Sequence, residues 1–213
     1  MKLLLAAALC AAAVDAANVN QLELHSIRAG SARYRGKNAI HLIPDPVRDN
    51  DDALAIVEGL KFRDGVIEAD VAGDLAPGHS DSARGFVGIA FRVQPDARHY
   101  ELLSLRPANA RAADQLRRNH TAAYEGHPDF NFDRLRKESN GVYESYVDVE
   151  LGAWTHLKIV VNGVTARMFV NRATQPCLIV NDLKLGAGEG AVALWSGPGT
   201  DGFFANLRVT PAK

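Results

Sequence analysis

The sequence predicts an all-β fold, a two-sheet antiparallel β-sandwich with one long loop. From Leu22 onward it holds about a dozen short runs in which apolar residues alternate with others, as in half-buried strands. Turn residues separate these runs, and no long amphipathic helix interrupts them. Many short strands at this spacing are typical of β-sandwiches and barrels.

The clearest turn signal is Asn162-Gly163, which joins two of these runs. Both residues tolerate a positive φ, as tight turns between antiparallel strands require. Alternation also sorts the side chains within each run. Ile67, Ala69 and Val71 form an apolar set on one side of their run, and we expect them to face the core.

Length and composition fit a globular domain. The chain has 213 residues, of which 47% are hydrophobic and 23% are charged. A domain of this size can bury a sizeable core. The formal net charge is -1, which argues against a nucleic-acid binder held by a field of basic charge. We therefore expect no nucleic-acid partner.

The N-terminus is typical of an export signal. A short apolar stretch follows Lys2; it has the length of a signal-peptide core and is too short to span a bilayer. We expect residues 1–17 to be a signal peptide cleaved near Ala16 or Ala17, and residues 18–213 to be a single β-sandwich domain, exported to the periplasm or the medium. The alternative is a buried N-terminal helix. No other segment approaches the length of a membrane span.

The chain has two cysteines. Cys10 lies inside the expected signal peptide. A lipoprotein signal would acylate it, but the bulky Leu9 before it is atypical of such signals. Cleavage leaves Cys177 alone, so the mature chain has no internal disulfide and depends on its core for stability. Cys177 lies in an apolar run, where we interpret it as a small buried side chain and not as a nucleophile.

The connection between Arg106 and Gly141 is much longer than the turns that separate the other predicted strands. Loops beyond about 15 residues are uncommon in compact domains and are often functional. Residues 108–118 favour a short helix. The segment mixes both signs of charge with aromatic residues, so we expect a packed loop laid over one end or face of the sheets.

Alternation on three adjacent runs places polar side chains on one outward surface. Glu68 and Asp70 lie on the first run, Arg92 on the second, and Tyr100 and Arg106 on the third. Carboxylates, arginines and tyrosines suit sugars, since they bond hydroxyls or cover ring faces. The alternative is an ordinary solvated sheet face. With residues of the long loop, the candidate substrate-binding set is Glu68, Asp70, Arg92, Tyr100, Arg106, Gln115, Arg118, His120 and Tyr124.

Glu101 points to the core by the same alternation. A lone carboxylate there would cost several kcal/mol unless it is paired. We therefore expect either a bulge that shifts the register or a pairing of Glu101 with a buried arginine or a backbone donor.

The sequence gives no sign of a metal site or a cofactor. His120 and His127 lack the spacing of zinc ligands. We interpret the acidic stretch 49–52 as a solvated turn and not as a calcium loop. We therefore expect neither a metal nor a cofactor.

Several segments taken together resemble a known family. They are GVIEADV (65–71), GFVGIAFRV (85–93), YELLSLRP (100–107), the hairpin that starts at Trp154, and the closing AVALWS (191–196) with FANLRV (204–209). Their order is similar to that of bacterial concanavalin-A-like or laminin-G-like jelly-roll proteins, including those related to the 3-keto-disaccharide hydrolase domain. The resemblance implies the fold. It does not imply one activity, because that superfamily mixes glycosidases, lyases and lectin-like modules.

A related jelly-roll family, the laminarinase-like enzymes, carries catalytic carboxylates on one strand as Glu-x-Asp-x-x-Glu. Glu68-Ala69-Asp70 is similar to the start of that pattern, and alternate residues on a strand can approach the ~5 Å separation of a retaining glycosidase. The third position is Gly73. The acid/base residue of the pattern is missing, so its activity is not carried over.

Two classes of function follow. The first is an exported carbohydrate-active protein that binds a glycan or sugar derivative, with cleavage of the hydrolase or lyase type as its enzymatic form; its arginines favour an acidic or oxidised sugar. The acid/base group would then come from Glu68, Asp70, Glu101, His120 or Tyr124. The second is a non-enzymatic laminin-G-like adhesion or protein-interaction module. A closed groove with a carboxylate or histidine of shifted pKa favours an enzyme, and a flat apolar patch favours a protein partner.

The export signal makes a direct prediction. When the protein is expressed with its own N-terminus in a bacterial host, the mature chain should begin at Ala17 or Asn18, because signal cleavage follows small residues. Intact-mass spectrometry of the exported protein measures this. A full-length mass would contradict a cleaved signal, and a lipid-modified Cys10 at the N-terminus would establish the lipoprotein alternative.

Overall fold

The computed structural model describes residues 12–14, 19–44 and 53–212. Of the expected signal peptide, 1–17, only Ala12–Val14 falls within these ranges, and the acidic stretch 49–52 lies outside them. The signal peptide and the single domain over 18–213 stay predictions.

Strands dominate the described residues. The first eight are β1 (Ala12–Val14), β2 (Leu22–His25), β3 (Ile27–Tyr34), β4 (Lys37–Pro44), β5 (Leu54–Val57), β6 (Gly65–Leu75), β7 (Val87–Val93) and β8 (Tyr100–Leu105). The others are β9 (Ala122–His127), β10 (Glu144–Ser145), β11 (Thr155–Asn162), β12 (Thr165–Val170), β13 (Leu178–Val180), β14 (Ala191–Ser196) and β15 (Thr200–Pro211). Short helices occupy Val19–Gln21 (3-10), α1 (Pro107–Ala110), α2 (Gln115–Asn119) and α3 (Phe132–Glu138). Within the described ranges, no helix has the length and apolar character needed to cross a membrane.

The strands form two antiparallel sheets, as predicted. Sheet A has the order β13-β12-β11-β6-β15-β4-β3, and β1 also pairs with β15. Sheet B has the order β10-β9-β8-β7-β14-β5-β2. Consecutive strands such as β6 and β7 belong to different sheets, so the chain crosses between the layers repeatedly, as in jelly rolls. The predicted all-β sandwich is confirmed.

The main core lies between the two sheets. The predicted inward set of Ile67, Ala69 and Val71 is buried on sheet A, and it packs in one cluster with alternate residues of sheet B such as Ile89 and Leu103. Each Å² of apolar surface removed from water contributes about 25 cal/mol. This core is therefore the main source of stability for the sandwich.

Cys177 is a free, half-buried thiol beside β12. Its Sγ lies 3.4 Å from the carbonyl oxygen of Met168, and burial raises the pKa of the thiol to about 11. Thiolates, not thiols, are the nucleophiles. Cys177 is protonated at neutral pH, which agrees with a packing role.

The hairpin predicted at Asn162-Gly163 joins β11 and β12. Asn162 stands opposite Thr165, and Gly163 adopts a φ of 55°. The Gly163 amide donates to Asp64 Oδ1 at 2.8 Å. This bond ties the turn to the segment that leads into β6.

Glu101 faces the core, as alternation predicts, and the register of β8 is regular there. Its carboxylate accepts hydrogen bonds from Tyr124 Oη at 2.6 Å and from the Leu185 amide at 3.0 Å. Tyr124 Oη in turn accepts from the Lys184 amide at 2.6 Å. Burial raises the pKa of Glu101, and these bonds oppose it. Of the expected arrangements, the backbone donor is the one observed.

Removing the Tyr124 hydroxyl should destabilise the core. Tyr124→Phe leaves the Glu101 carboxylate and the Lys184 amide each short of a partner, and a buried unsatisfied group costs about 1–3 kcal/mol. Urea unfolding followed by circular dichroism measures the loss. Tyr146→Phe is the matched control, because that ring is 40% exposed and surface changes stay within about 0.5 kcal/mol. Equal losses in the two variants would contradict the structural role of the buried hydroxyl.

Candidate functional site

The long connection after β8 is more structured than the sequence predicts. In place of one loop from Arg106 to Gly141 it contains α1, α2, strand β9 and α3. β9 pairs with β8 and β10 within sheet B. Residues of α2 and α3 line a cleft together with strands of sheet B, so the inserted segment builds a wall on the outer face of that sheet.

A row of small side chains lies on the same outer face of sheet B. Five residues stand opposite one another across sheet B, in the order Trp195, Gly88, Ser104, Ala123 and Glu144. Directly opposed residues of antiparallel strands share one face. A Cβ on Gly88 would come within 2.6 Å of the β8 backbone, so glycine is required there. Gly88, Ser104 and Ala123 are buried and do not line the cleft. The row runs from Trp195, which lines it, to Glu144.

The cleft has a volume of about 490 Å³. Its cationic and imidazole side chains are Arg84, Arg106, Arg117, Arg136, His120 and His127. Its carboxylates are Asp114 and Glu125, and its aromatic rings are Phe86, Phe132 and Trp195. Pockets of ~300–1,000 Å³ with apolar walls and a few placed polar groups are typical of small-molecule sites.

Glu144 is the centre of a buried ion cluster at the edge of the cleft. Its Oε1 accepts from Arg106 Nη1 at 2.5 Å and from Arg136 Nη2 at 2.6 Å, and its Oε2 accepts from Arg136 Nε at 2.7 Å. Burial alone would raise the pKa of Glu144. The hydrogen bonds from Arg136 and the charge of Arg106 outweigh burial and lower that pKa, so the carboxylate is ionised at neutral pH.

His120 is the neutral member of this cluster. Its Nε2 lies 3.5 Å from Glu144 Oε2. Burial lowers the pKa of His120, and the charges of Arg136 and Arg106 lower it too. The charge of Glu144 raises it, but the net shift is downward from 6.5. The imidazole is therefore uncharged at pH 7, the form that accepts a proton.

Glu125 and His127 alternate on β9 and both line the cleft. Glu125 Oε1 lies 3.5 Å from Arg106 Nη2, and its Oε2 accepts from the Phe132 amide at 3.0 Å. His127 Nε2 lies 3.7 Å from Glu125 Oε2, and its ring stacks on Tyr100 with centroids 4.4 Å apart. Arg106 thus bridges the two buried carboxylates at this end of the cleft.

Aromatic rings contribute apolar surface to the cleft. Trp195 and Phe86 meet edge to face, with centroids 6.3 Å apart. The guanidinium groups of Arg106 and Arg136 lie over the ring of Phe132 on α3, at 5.5 and 5.0 Å from its centroid. Cations over a ring face attract the ring electrostatically, so Phe132 is held against the ion cluster.

Three of the predicted binding residues are brought together here. Arg106 and His120 line the cleft. Tyr100 lies on the same outer face, fully buried, with its ring against His127. Their binding role stays a prediction.

Arg92 does not line the cleft. It adopts a φ of 55° at a bulge between β7 and β14, which breaks the alternation used to place it. Its guanidinium donates to the carbonyl oxygens of Arg63, Gly163 and Gly186 at 3.0, 2.7 and 2.7 Å, and to Asp64 at 3.0 Å. Arg92 gathers loops at one end of the sandwich.

Three residues predicted from the inserted segment also make their contacts elsewhere. Gln115 Nε2 donates to Asn119 Oδ1 at 2.8 Å, within α2. Arg118 Nη2 donates to Tyr146 Oη at 3.0 Å. Tyr124 points into the core, because the alternation of β9 that turns its neighbours outward turns it inward.

Glu68 and Asp70 lie on the opposite side of the sandwich. They belong to β6 in sheet A, whereas Tyr100 belongs to β8 in sheet B and Arg106 directly follows that strand. The prediction of one shared surface is therefore wrong. Its physical reason is the crossover: alternation gives the face of each strand relative to the core, but it does not give the sheet.

Asp70 is held by three neighbours in its own sheet. It accepts from Lys37 Nζ at 2.7 Å and Asn206 Nδ2 at 2.6 Å, and it lies 3.0 Å from His156 Nδ1. Burial opposes these contacts, which nevertheless lower its pKa. Asp70 joins four strands, and its oxygens are occupied by this chain.

Only one proposed acid/base group lines the cleft. His120 does so, while Glu101 and Tyr124 bond each other in the interior. Glu68 and Asp70 lie on sheet A. Within the described part of the chain, no three His, Cys, Asp or Glu side chains are grouped to hold a metal ion.

Several cleft residues were missed by sequence reasoning. Glu125 and His127 lie in a run assigned to the loop, although Ala123, Glu125 and His127 alternate there. Trp195 was detectable too, since its neighbour Leu194 faces the core. Arg136 had no local signal, because its position depends on where α3 packs.

Structural comparison places this architecture among known folds. No family model and no curated protein matches the sequence. The carbohydrate-binding module CBM66 of Bacillus subtilis aligns with a TM-score of 0.55 at 14% identity, over 88% of this chain and 97% of that one. A Bacillus subtilis protein of unknown function with a galectin-like fold aligns with a TM-score of 0.56 at 13% identity, over 91% and 90%. The exoplasmic/lumenal domain of VIP36, in a form bound to Ca2+ and Man3GlcNAc, aligns with a TM-score of 0.54 at 8% identity, over 91% and 84%.

The fold is a concanavalin-A-like jelly roll. The alignments span most of each chain, which confirms the resemblance drawn from the strand segments. At these identities the likeness concerns the fold alone, since one fold supports many activities.

Neutralising Glu144 should lower the pKa of His120 further. The carboxylate is the group that most favours the imidazolium, and Glu144→Gln removes it while both arginines remain. The pH titration of the His120 ring resonances by NMR measures the midpoint. Glu138→Gln is the matched control, because that exposed carboxylate pairs with Arg134. A midpoint that rises or stays constant in Glu144→Gln would contradict the geometry of the cluster.

Proposed function

We propose that this chain is an exported carbohydrate-binding protein and that its site is the cleft on the outer face of sheet B. The observation that carries the proposal is the cleft itself, because aromatic rings and charged hydrogen-bonding groups line it together. Sugars present hydroxyl groups around an apolar ring face. A site that combines both kinds of surface complements them.

The aromatic residues would cover the apolar face of the sugar ring. Trp195 and Phe86 line the cleft and contact each other edge to face. Arg106 and Glu125 would orient hydroxyl groups, because their positions are already fixed by mutual contacts. Groups held in place before binding lose less conformational entropy when the ligand arrives.

Relatives of the fold support a sugar as the ligand. CBM66 is by name a carbohydrate-binding module, and the VIP36 domain is known in a form bound to Man3GlcNAc. The N-terminal signal predicted over residues 1–17 supports export, the setting in which a free glycan binder meets its ligand.

We propose binding as the activity of the cleft. Glu144 is a poor general acid, because its lowered pKa keeps it ionised. His120 is the lining group in the protonation state to accept a proton, so it is the residue to test first for turnover.

A flat protein-binding surface has less support. Among the large exposed apolar side chains of the described residues, Leu116 and Phe132 line the cleft itself. Leu24 on β2 and Ile179 on β13 belong to different sheets. Protein interfaces instead favour contiguous apolar patches.

Tryptophan fluorescence should locate the ligand. The chain has two tryptophans; Trp195 lines the cleft and Trp154 packs against sheet A. Trp154→Phe leaves Trp195 as the reporter. Titration of this variant of the mature protein, residues 18–213, with neutral and acidic oligosaccharides should give a saturable change in emission, because a bound sugar ring alters the surroundings of the indole.

The reciprocal variant is the control. Trp195→Phe keeps only Trp154 and should show no change with the same sugars. A response from Trp154 alone would move the site to sheet A. Two results together would count against a sugar ligand: no change in emission from either variant, and no rise in the melting temperature of the native protein. A ligand that binds the folded state must raise that temperature.

A further inference from the structure

The charges of the cleft are unevenly compensated. Arg106 and Arg136 share the carboxylates of Glu144 and Glu125. Among the described residues, the other two arginines of the lining form no ion pair with a carboxylate within 4.0 Å. Arg84 is half-buried and Arg117 is exposed. The Asp114 carboxylate also lines the cleft, where it accepts from the Arg117 backbone amide, so neither guanidinium group is paired directly with a carboxylate of the described residues.

Arg84 is the first of these arginines and is half-buried. Its Nη1 donates to the carbonyl oxygens of Asp81 and Ala83 at 2.5 and 2.7 Å. Both acceptors are neutral backbone groups. They hold the guanidinium in place at the cleft without cancelling its charge.

Arg117 is the second. Its Nε donates to Asn109 Oδ1 at 3.0 Å, and Asn109 Nδ2 donates to the His120 carbonyl oxygen at 3.0 Å. Asn109 is only 4% exposed, so it is a rigid support. Its neighbour Ala108 donates its amide to the Arg84 carbonyl oxygen at 3.1 Å. Both arginines are therefore anchored to consecutive residues of α1.

The two guanidinium groups affect each other. Burial lowers the pKa of Arg84, and the charges of Arg117 and Arg106 lower it further against the attraction of Asp81. Arg84 and Arg117 line the same cleft, so these like charges oppose each other there. An anion placed between them would relieve this repulsion, and the gain is larger in a partly buried site than in water.

A third donor is unused. Arg106 is 5% exposed, and its Nε has no hydrogen-bond partner among the described residues. A buried donor without an acceptor costs about 1–3 kcal/mol. The described residues therefore leave the cluster around Arg106 one acceptor short.

We propose that the cleft selects sugars that carry a carboxylate, and that this carboxylate is seated by Arg84 and Arg117. The proposal rests on the carbohydrate site proposed above and names its ligand class. Arginine guanidinium groups match the two oxygens of a carboxylate with paired hydrogen bonds. The sugar ring would then lie beside Trp195 and Phe86, the two aromatic rings that contact each other in the lining.

Matched pairs of sugars test this on the mature protein. Isothermal titration calorimetry compares galacturonate oligomers with galactose oligomers, and glucuronate with glucose, at low salt. The acid of each pair should bind at least about tenfold more tightly. Arg84→Gln and Arg117→Gln should each weaken acid binding about tenfold or more and leave the neutral sugar within about twofold. Raising the salt concentration should weaken only the acid.

Arg28→Gln is the control for net charge, because Arg28 is exposed on β3 of the other sheet. It should bind both sugars as the native protein does. Melting temperatures of all three variants establish that they fold.

The outcomes distinguish a failure of the carboxylate assignment from a failure of the proposed carbohydrate-binding function. Equal binding of neutral and acidic sugars would overturn the carboxylate assignment and leave the carbohydrate site standing, whereas no binding of either would overturn the proposed function. Preference for the acid that survives both glutamine variants would place the carboxylate elsewhere. If a 6-sulfated sugar binds as tightly as the carboxylated sugar, the site recognises negative charge and not a carboxylate. That result would also contradict the assignment.

Discussion

Glu144 lies where the inserted segment returns to sheet B, and the architecture of the cleft depends on how its charge is held. One carboxylate joins Arg106, at the end of β8, to Arg136 of α3. A buried charge costs several kcal/mol unless it is paired, and this pairing is complete only when α3 packs against the sheet. The wall of the cleft and its electrostatics therefore form together.

The same cluster links the cleft to pH. The folded-state pKa of Glu144 lies below its ordinary value, so its contribution to stability is present above the unfolded pKa and is lost as the pH falls through the folded one. The contribution of Glu101 to stability depends on pH in the opposite direction. Because its pKa is raised in the folded state, that contribution is lost as the pH rises. Two buried carboxylates on either side of sheet B thus respond to pH in opposite directions.

Alternation along single strands was enough to predict the sandwich, the inward set around Ile67 and the inward turn of Glu101. It failed where a feature depended on more than one strand. The bulge at Arg92 needs knowledge of β14, and the separation of Asp70 from Arg106 needs the crossover between sheets. The ion cluster combines strands and helices that are distant in sequence, so no local pattern encodes it.

Strand β9 belongs at once to the interior and to the cleft. Tyr124 is hydrogen-bonded to Glu101 in the core, while Glu125 and His127 line the cleft on the outer side. A one-residue slip of β9 would exchange the two sets, so selection for a stable interior also fixes the positions of these ligand-facing groups. New specificities can therefore evolve more freely on α2, which has no buried residue and whose Leu116 and Arg117 line the cleft.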